Sequence, residues 1–296
     1  MTYRTWHILA ALTLGVSTAA AQTPAPALPT PEPVWVYGDI SAPESTYLDL
    51  ESNAIYVSVI NGGVGDKDGN GFIAKLGRDG KPIAAQWATG LNGPKGSRAA
   101  GRTLWVADID ELVGIDLNSG QIKTKVKVAD AKFLNDVATA PDGTIYTSDS
   151  TLNRIYMVKD GVASVFAEGE AVEAPNGLLV DGSRLLVGTM RQVAADQKSG
   201  PGRVIALDLK TKEKTVFSGD IGAIDGVESD GKGGFIVSAV RDGKIVHVSP
   251  KGVVTPLKQL KPNAADIAYD VQRKVVIVPH LNQNRVAAYD LSDVLK

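Results

Sequence analysis

From Val34 onward the apolar positions form short runs without a helical period, each closed off by Gly, Asp or Asn. The runs Ala54–Ser58, Thr103–Val106, Thr144–Thr147, Leu185–Gly188, Phe235–Ser238 and Val275–Val278 read as strands. Turn clusters such as Pro141-Asp142-Gly143 and Asp230-Gly231-Lys232-Gly233 precede them. About ten residues ahead of each run stands a polar residue beside a small or apolar one: Glu44, Lys95, Asn135, Asn176, Asp225 and Asp266. These are separated by 51, 40, 41, 49 and 41 residues.

A period of roughly 40–50 residues with about four short strands per unit is the signature of a β-propeller. Six repeats predict an all-β, six-bladed β-propeller of antiparallel blades over residues 34–296. A β-sandwich would not explain the six-fold register. A ring must be closed, because an open edge strand invites aggregation. The segment Val34–Tyr37 is placed to add the outer strand to the last blade, which otherwise ends at Arg285–Tyr289.

The first residues follow another pattern. Arg4, the apolar stretch Ile8–Val16 and the small residues Ala19–Ala21 read as a signal peptide over 1–21, too short in its apolar part to span a bilayer. Residues 22–33, with Pro24, Pro26, Pro29, Pro31 and Pro33, read as an extended, disordered linker. The expected location is the periplasm or outside the cell, with no membrane attachment after cleavage. The chain has 31 Lys+Arg against 33 Asp+Glu, a balance that argues against nucleic acid as a partner. It has no cysteine and only three histidines, which excludes thiolate chemistry and cysteine-ligated metals and nearly excludes a multi-histidine centre. Long exposed apolar runs are lacking, so a monomer is expected.

In a propeller the innermost strands line a central channel, so residues at one register point converge. Glu44, Asn135, Asn176 and Asp225 then form a ring of hard oxygen donors, a good set for calcium, magnesium or manganese and a poor one for zinc or copper; calcium is the first expectation, with magnesium, manganese or zinc behind it. Two acids balance one divalent cation. Taken singly, Asn-Asp, Asn-Gly and Asp-Gly are turn dipeptides. Glu44 is not a turn former, and the shared register favours a site. Lys95 and Asp266 complete the register and are expected in the substrate pocket, Lys95 by attracting an acidic group or pairing with Glu44 at the rim, Asp266 as a turn residue or supporting acceptor.

Ala42-Pro43-Glu44-Ser45, Leu134-Asn135-Asp136, Pro175-Asn176-Gly177-Leu178 and Ile224-Asp225-Gly226-Val227 occur in the order that resembles the senescence marker protein/gluconolactonase (regucalcin-like) family. That resemblance implies a six-bladed propeller with one divalent cation in the channel. It implies Glu44, Asn176 and Asp225 as ligands, Asn135 near metal or substrate, Asp225 as catalytic base, and lactone hydrolysis. The chain departs from the family at Phe133, where gluconolactonase-type members carry an Arg, and at Thr147–Ser150, where they carry Gly-Thr-Met followed by a Glu. The stretch Asp149–Ile155 is similar to NHL and strictosidine-synthase-like propellers instead.

Other features carry less. Asp66–Ile73 imitates the start of a calcium loop, but its twelfth position is Gly77, where a bidentate Glu is needed, so a long hairpin loop is expected. Lys123, Lys125 and Lys127 alternate along a strand and read as a solvated edge. His280, placed by its spacing at the register of Asp149, reads as a packed histidine. Two function classes follow: a secreted, metal-dependent hydrolase of a lactone or similar small ester, and a non-catalytic propeller that binds a small ligand or a protein partner.

Overall fold

A computed structural model describes residue 1 and residues 31–190 and 201–295. The expected leader and most of the proline-rich linker lie outside the described residues. Six four-stranded antiparallel sheets form the blades of a six-bladed β-propeller. Blade 1 contains β2 (Pro43–Asp49), β3 (Ala54–Val59), β4 (Gly71–Gly77) and β5 (Pro82–Leu91). Blade 2 contains β6 (Pro94–Ala100), β7 (Thr103–Asp108), β8 (Glu111–Asp116) and β9 (Ile122–Lys127). Blade 3 contains β10 (Leu134–Thr139), β11 (Ile145–Asp149), β12 (Arg154–Lys159) and β13 (Val162–Glu168). Blade 4 contains β14 (Pro175–Asp181), β15 (Arg184–Thr189), β16 (Val204–Asp208) and β17 (Lys214–Val216). Blade 5 contains β18 (Ile224–Ser229), β19 (Phe235–Ala239), β20 (Lys244–Val248) and β21 (Val254–Gln259). Blade 6 contains β22 (Ala268–Asp270), β23 (Val275–His280) and β24 (Arg285–Asp290), completed by β1 (Trp35–Tyr37).

Each apolar run of the sequence is the second strand of its blade. Both faces of such a strand are buried, so the residues read as continuous rather than alternating. The alternation survives in what the two faces touch. Ile55, Val57 and Val59 of β3 pack toward blade 6, whereas Ala54 and Tyr56 pack toward blade 2. Every blade does the same, giving six apolar clusters, one between each neighbouring pair. Burying one such Val, Leu or Ile contributes about 1.5–3 kcal/mol.

Ring closure follows the expectation. β1 pairs antiparallel with β24, Trp35 opposite Ala288 and Tyr37 opposite Val286. The seam is held a second time by Arg78, in the turn between β4 and β5 of blade 1. Its Nη2 donates to Asp270 Oδ1 at 2.6 Å and its Nε to Asp270 Oδ2 at 2.8 Å, in blade 6. Gly80 sits at φ +78° against the Trp35 indole, where any Cβ would collide with the ring. The Asp66–Ile73 stretch is the β3–β4 hairpin connection running into β4, and the lysine triplet lies on β9, the outermost strand of blade 2. Among the described residues no helix is long and apolar enough to cross a membrane.

Candidate functional site at the channel mouth

The six register residues sit at one end of the innermost strands. In blades 1 to 5 the pairing between the first and second strands slips at that point. The slips fall between Pro43 and Ser45, Pro94 and Ser97, Leu134 and Val137, Pro175 and Leu178, and Ile224 and Val227. These are β-bulges, which leave a residue outside the ladder and re-aim its side chain. Glu44, Lys95, Asn135, Asn176 and Asp225 each occupy one. Asp266 lies two residues before β22 in blade 6 and bridges to Ser45 of blade 1. All six are buried.

The approaches to the bulges are pinned. Ala42 (φ 51°) and Ala174 (φ 57°) both take left-handed backbone just before Pro43-Glu44 and Pro175-Asn176. Each donates its N–H to an asparagine of the preceding blade, Ala42 to Asn284 Oδ1 at 3.0 Å and Ala174 to Asn153 Oδ1 at 2.6 Å. Asp108 accepts the N–H groups of Asn92 and Gly93, and Asp149 those of Lys132 and Phe133, fixing the loops that lead to Lys95 and Asn135. Ser148 accepts the Asp136 N–H at 3.0 Å and donates to the Asn176 carbonyl at 2.8 Å. Ser238 does the same between Gly226 and Ala265.

Asn135, Asn176 and Asp225 line one depression of about 450 Å³, together with Phe133, Met190 and Val240. Asn176 Nδ2 donates to Asp225 Oδ1 at 3.0 Å. Asp266, expected in the substrate pocket, does not line this depression; its Oδ2 accepts the Ser45 hydroxyl at 2.6 Å. Lys95 departs from its expected place at the rim. It is 1% exposed, and its Nζ donates to the carbonyls of Gly93 (2.9 Å) and Val64 (3.0 Å), beneath the Phe133 ring at 4.3 Å. Its charge acts on Glu44 through space. Burial lowers the Lys95 amine from its ordinary value, against the pull of Glu44 and Asp108.

Besides Arg98 and Glu228 deeper in the channel, the sequence pattern did not reveal Asp136 at its mouth. Asp136, beside Asn135, turns inward. It accepts the Val137 and Leu178 N–H groups at 2.6 Å each. A Cβ on Gly96 of the neighbouring blade would occupy the space of its carboxylate. The signal was present in Asn135-Asp136, but the dipeptide reads as a turn.

The ring therefore holds four buried carboxyls. Desolvation is the main cause of a raised pKa in each. Glu44 is pushed well above its usual range, with Asp225 and Asp266 adding to the effect and Lys95 opposing it. Asp225 rises to about 8, with Asp266 adding and the Asn176 hydrogen bond opposing. Asp136 rises to about 7, against Arg98 and its two backbone donors. Asp266 is raised well above its usual range, with Asp136 adding and Ser45 opposing. Deeper in the channel Arg98 of blade 2 pairs with Glu228 of blade 5 at 2.8 Å, joining opposite walls. His280 is a packed histidine, as expected, with Nε2 2.8 Å from the Tyr289 hydroxyl, and burial lowers it to about 4. Strand pairing moves its register by one, so that Pro279, not His280, matches Asp149.

The donor chemistry fits a hard cation. Glu44 Oε2 and Asn176 Oδ1 are buried without a hydrogen-bond partner. Among the described residues no three His, Cys, Asp or Glu side chains group as a metal cage. Any ion here would have to combine carboxylate with amide oxygens.

No family model and no curated protein matches the chain. Solved structures do. A chain in the crystal structure of the nidogen/laminin complex aligns at a TM-score of 0.63 with 17% identity, covering 76% of this chain and 88% of that one. A catalytically inactive virginiamycin B lyase from Staphylococcus aureus, solved with quinupristin, aligns at 0.59 with 11% identity, covering 87% and 99%. These likenesses establish the six-bladed propeller fold. One neighbour belongs to a binding complex and the other is an enzyme, so the fold does not choose between the two function classes.

Proposed function

We propose that this protein is a divalent-cation-dependent hydrolase of a lactone or similar small ester, working at the mouth of its central channel. The observation that carries the reading is the ring of four buried carboxyls beside two unpartnered oxygens, Glu44 Oε2 and Asn176 Oδ1. Buried like charges are costly unless something of opposite sign joins them. Glu44, Asn135, Asn176 and Asp225 would hold the cation, with calcium the first candidate and magnesium, manganese or zinc the others. When bound, the cation supplies Lewis-acid polarisation of the substrate carbonyl and stabilises charge on its oxygen.

The chain's own groups do the rest. Asn176 holds Asp225 by the 3.0 Å bond, and Asp225 faces the depression as the base. It accepts a proton as a water oxygen bonds to the carbonyl carbon. The ring C–O bond then breaks, and the proton passes from Asp225 to the departing oxygen, leaving a hydroxy acid. Burial first, and the neighbouring Asp266 second, raise Asp225 and keep it basic enough to take the proton. In this reading the protein acts as a monomer on a small molecule, outside the cytoplasm.

The test combines melting with turnover, in chelator and in each of the four cations, for the wild type and Asp225→Ala. The reading expects one cation to raise the melting temperature and support acid release from lactones in the wild type alone. Cation-independent melting in every salt would remove it. A non-catalytic ligand-binding propeller is then the alternative. It is favoured by Phe133, which covers Lys95 where the gluconolactonase-type family carries a substrate-binding Arg.

A further inference from the structure

Resting on the hydrolase reading, we infer that the substrate carries an apolar alkyl or aryl substituent next to its lactone or ester group, and is not a polyhydroxylated sugar lactone. The depression has two unlike parts. Its base is the polar trio Asn135, Asn176 and Asp225, and its walls are Phe133, Met190 and Val240, with Ser150 and Thr151 completing the lining. Phe133, Met190 and Val240 are each only partly buried, so their apolar surface faces the open space. They come from blades 3, 4 and 5, the same blades that supply the base. Met190 and Val240 occupy equivalent positions, directly after the second strands β15 and β19.

The amide N–H donors of the depression are engaged with neighbouring groups, and its free oxygen, Asn176 Oδ1, is one assigned to the cation. Asn135 Nδ2 donates to Ser150 Oγ at 3.3 Å, and Ser150 Oγ donates to the Pro175 carbonyl at 2.9 Å. Asn176 Nδ2 is shared between Asp225 Oδ1 and Met190 Sδ. A sugar lactone brings several hydroxyls, and each one desolvated without a partner is a penalty. The nearby cation, Lys95, is turned into two backbone carbonyls with Phe133 over it. An alkyl or aryl group needs none of these partners. It gains from contact with Phe133 and Val240, and Met190 is a side chain that adapts to irregular apolar shapes.

The experiment uses the cation-loaded protein with γ-butyrolactones bearing no substituent, propyl, hexyl or phenyl, against glucono-δ-lactone. Binding of the unreactive γ-hexyl lactam is measured by calorimetry in parallel. We expect kcat/KM to climb about threefold per methylene over the first carbons, close to the transfer gain of a buried CH₂. Phe133→Ser and Val240→Ser should each flatten that dependence; either one folding normally is sufficient for the test. Preference for glucono-δ-lactone, or no dependence on chain length, would overturn the inference and leave the hydrolase reading standing. Lactam binding that weakens in Val240→Ser, without turnover of any lactone, keeps the apolar ligand and removes the hydrolase. Neither binding nor turnover removes both.

Discussion

Two buried acidic regions of this propeller are built on opposite terms. At the seam, Asp270 is buried and its carboxylate receives Arg78 from the first blade at 2.5–2.8 Å. At the channel mouth, Glu44, Asp136, Asp225 and Asp266 are equally buried, but they face one another. Their nearest opposite charges are engaged elsewhere, Lys95 with two carbonyls and Arg98 with Glu228. The seam is complete within the chain and serves stability. Among the described residues the mouth gathers four carboxyls without an ion-pair partner of their own, the arrangement expected where binding of a partner supplies what the fold omits.

The contrast can be broken at its stable side first. Asp270→Ala leaves the Arg78 charge buried and unpaired, and should cost about 3–5 kcal/mol in urea unfolding. It should leave cation-linked melting unchanged apart from the lower baseline. A cost near zero would mean that β1 alone closes the ring.

On the other side, a cation at 100 times its Kd should stabilise the wild type by about 2.7 kcal/mol. Asp225→Ala should abolish that gain. If the variant keeps it, the ion sits away from the ring.

Stability at the mouth also depends on pH. A carboxyl raised in the folded state keeps its proton where the unfolded chain, titrating near 3.8, has lost it. That contribution is complete below about pH 4 and is lost as pH rises through about 7 for Asp136 and about 8 for Asp225. Chelator-treated protein should therefore lose stability from pH 5 to pH 9, by up to about 1.4 kcal/mol per pH unit for each group titrating. Saturating cation should flatten the fall, because the carboxylates then ionise against a positive charge. Melting followed across pH with and without chelator checks both parts.

The smallest expected effect lies in the straps between blades. Ser148→Ala removes one acceptor and one donor between β10 and β14 and should cost about 1–2 kcal/mol. It should also weaken cation binding, since the Asn176 backbone loses its anchor. Calorimetric titration of the variant separates the two effects.

Most of the architecture was legible because propeller blades repeat. A polar residue followed by a buried strand, six times at similar spacing, is a local pattern, and its six members all reached the channel. Val34–Tyr37 was legible as the closing strand because the last repeat lacked an outer edge. The chemistry was legible to the extent that oxygen donors at one register must converge. Asp136 was hidden because its neighbour Asn135 makes the pair look like a turn. Lys95 was placed at the rim because charge alone suggests solvent, whereas the Val64 and Gly93 carbonyls let it be buried. Arg98 and Glu228 lie three blades apart, on opposite walls, and no local pattern links them.

The number of blades, the closing strand and the set of residues that share a ring all follow from period and polarity along the chain. The charge balance of that ring and the apolar character of its walls arise from folding. Both depend on which long-range partners absorb Lys95, Arg98, Asn135 and Asn176, and on where the ends of neighbouring strands bring Phe133, Met190 and Val240 together. Desolvation and hydrogen-bond pairing are properties of neighbours in space, and the chain assembles those neighbours only when the ring closes.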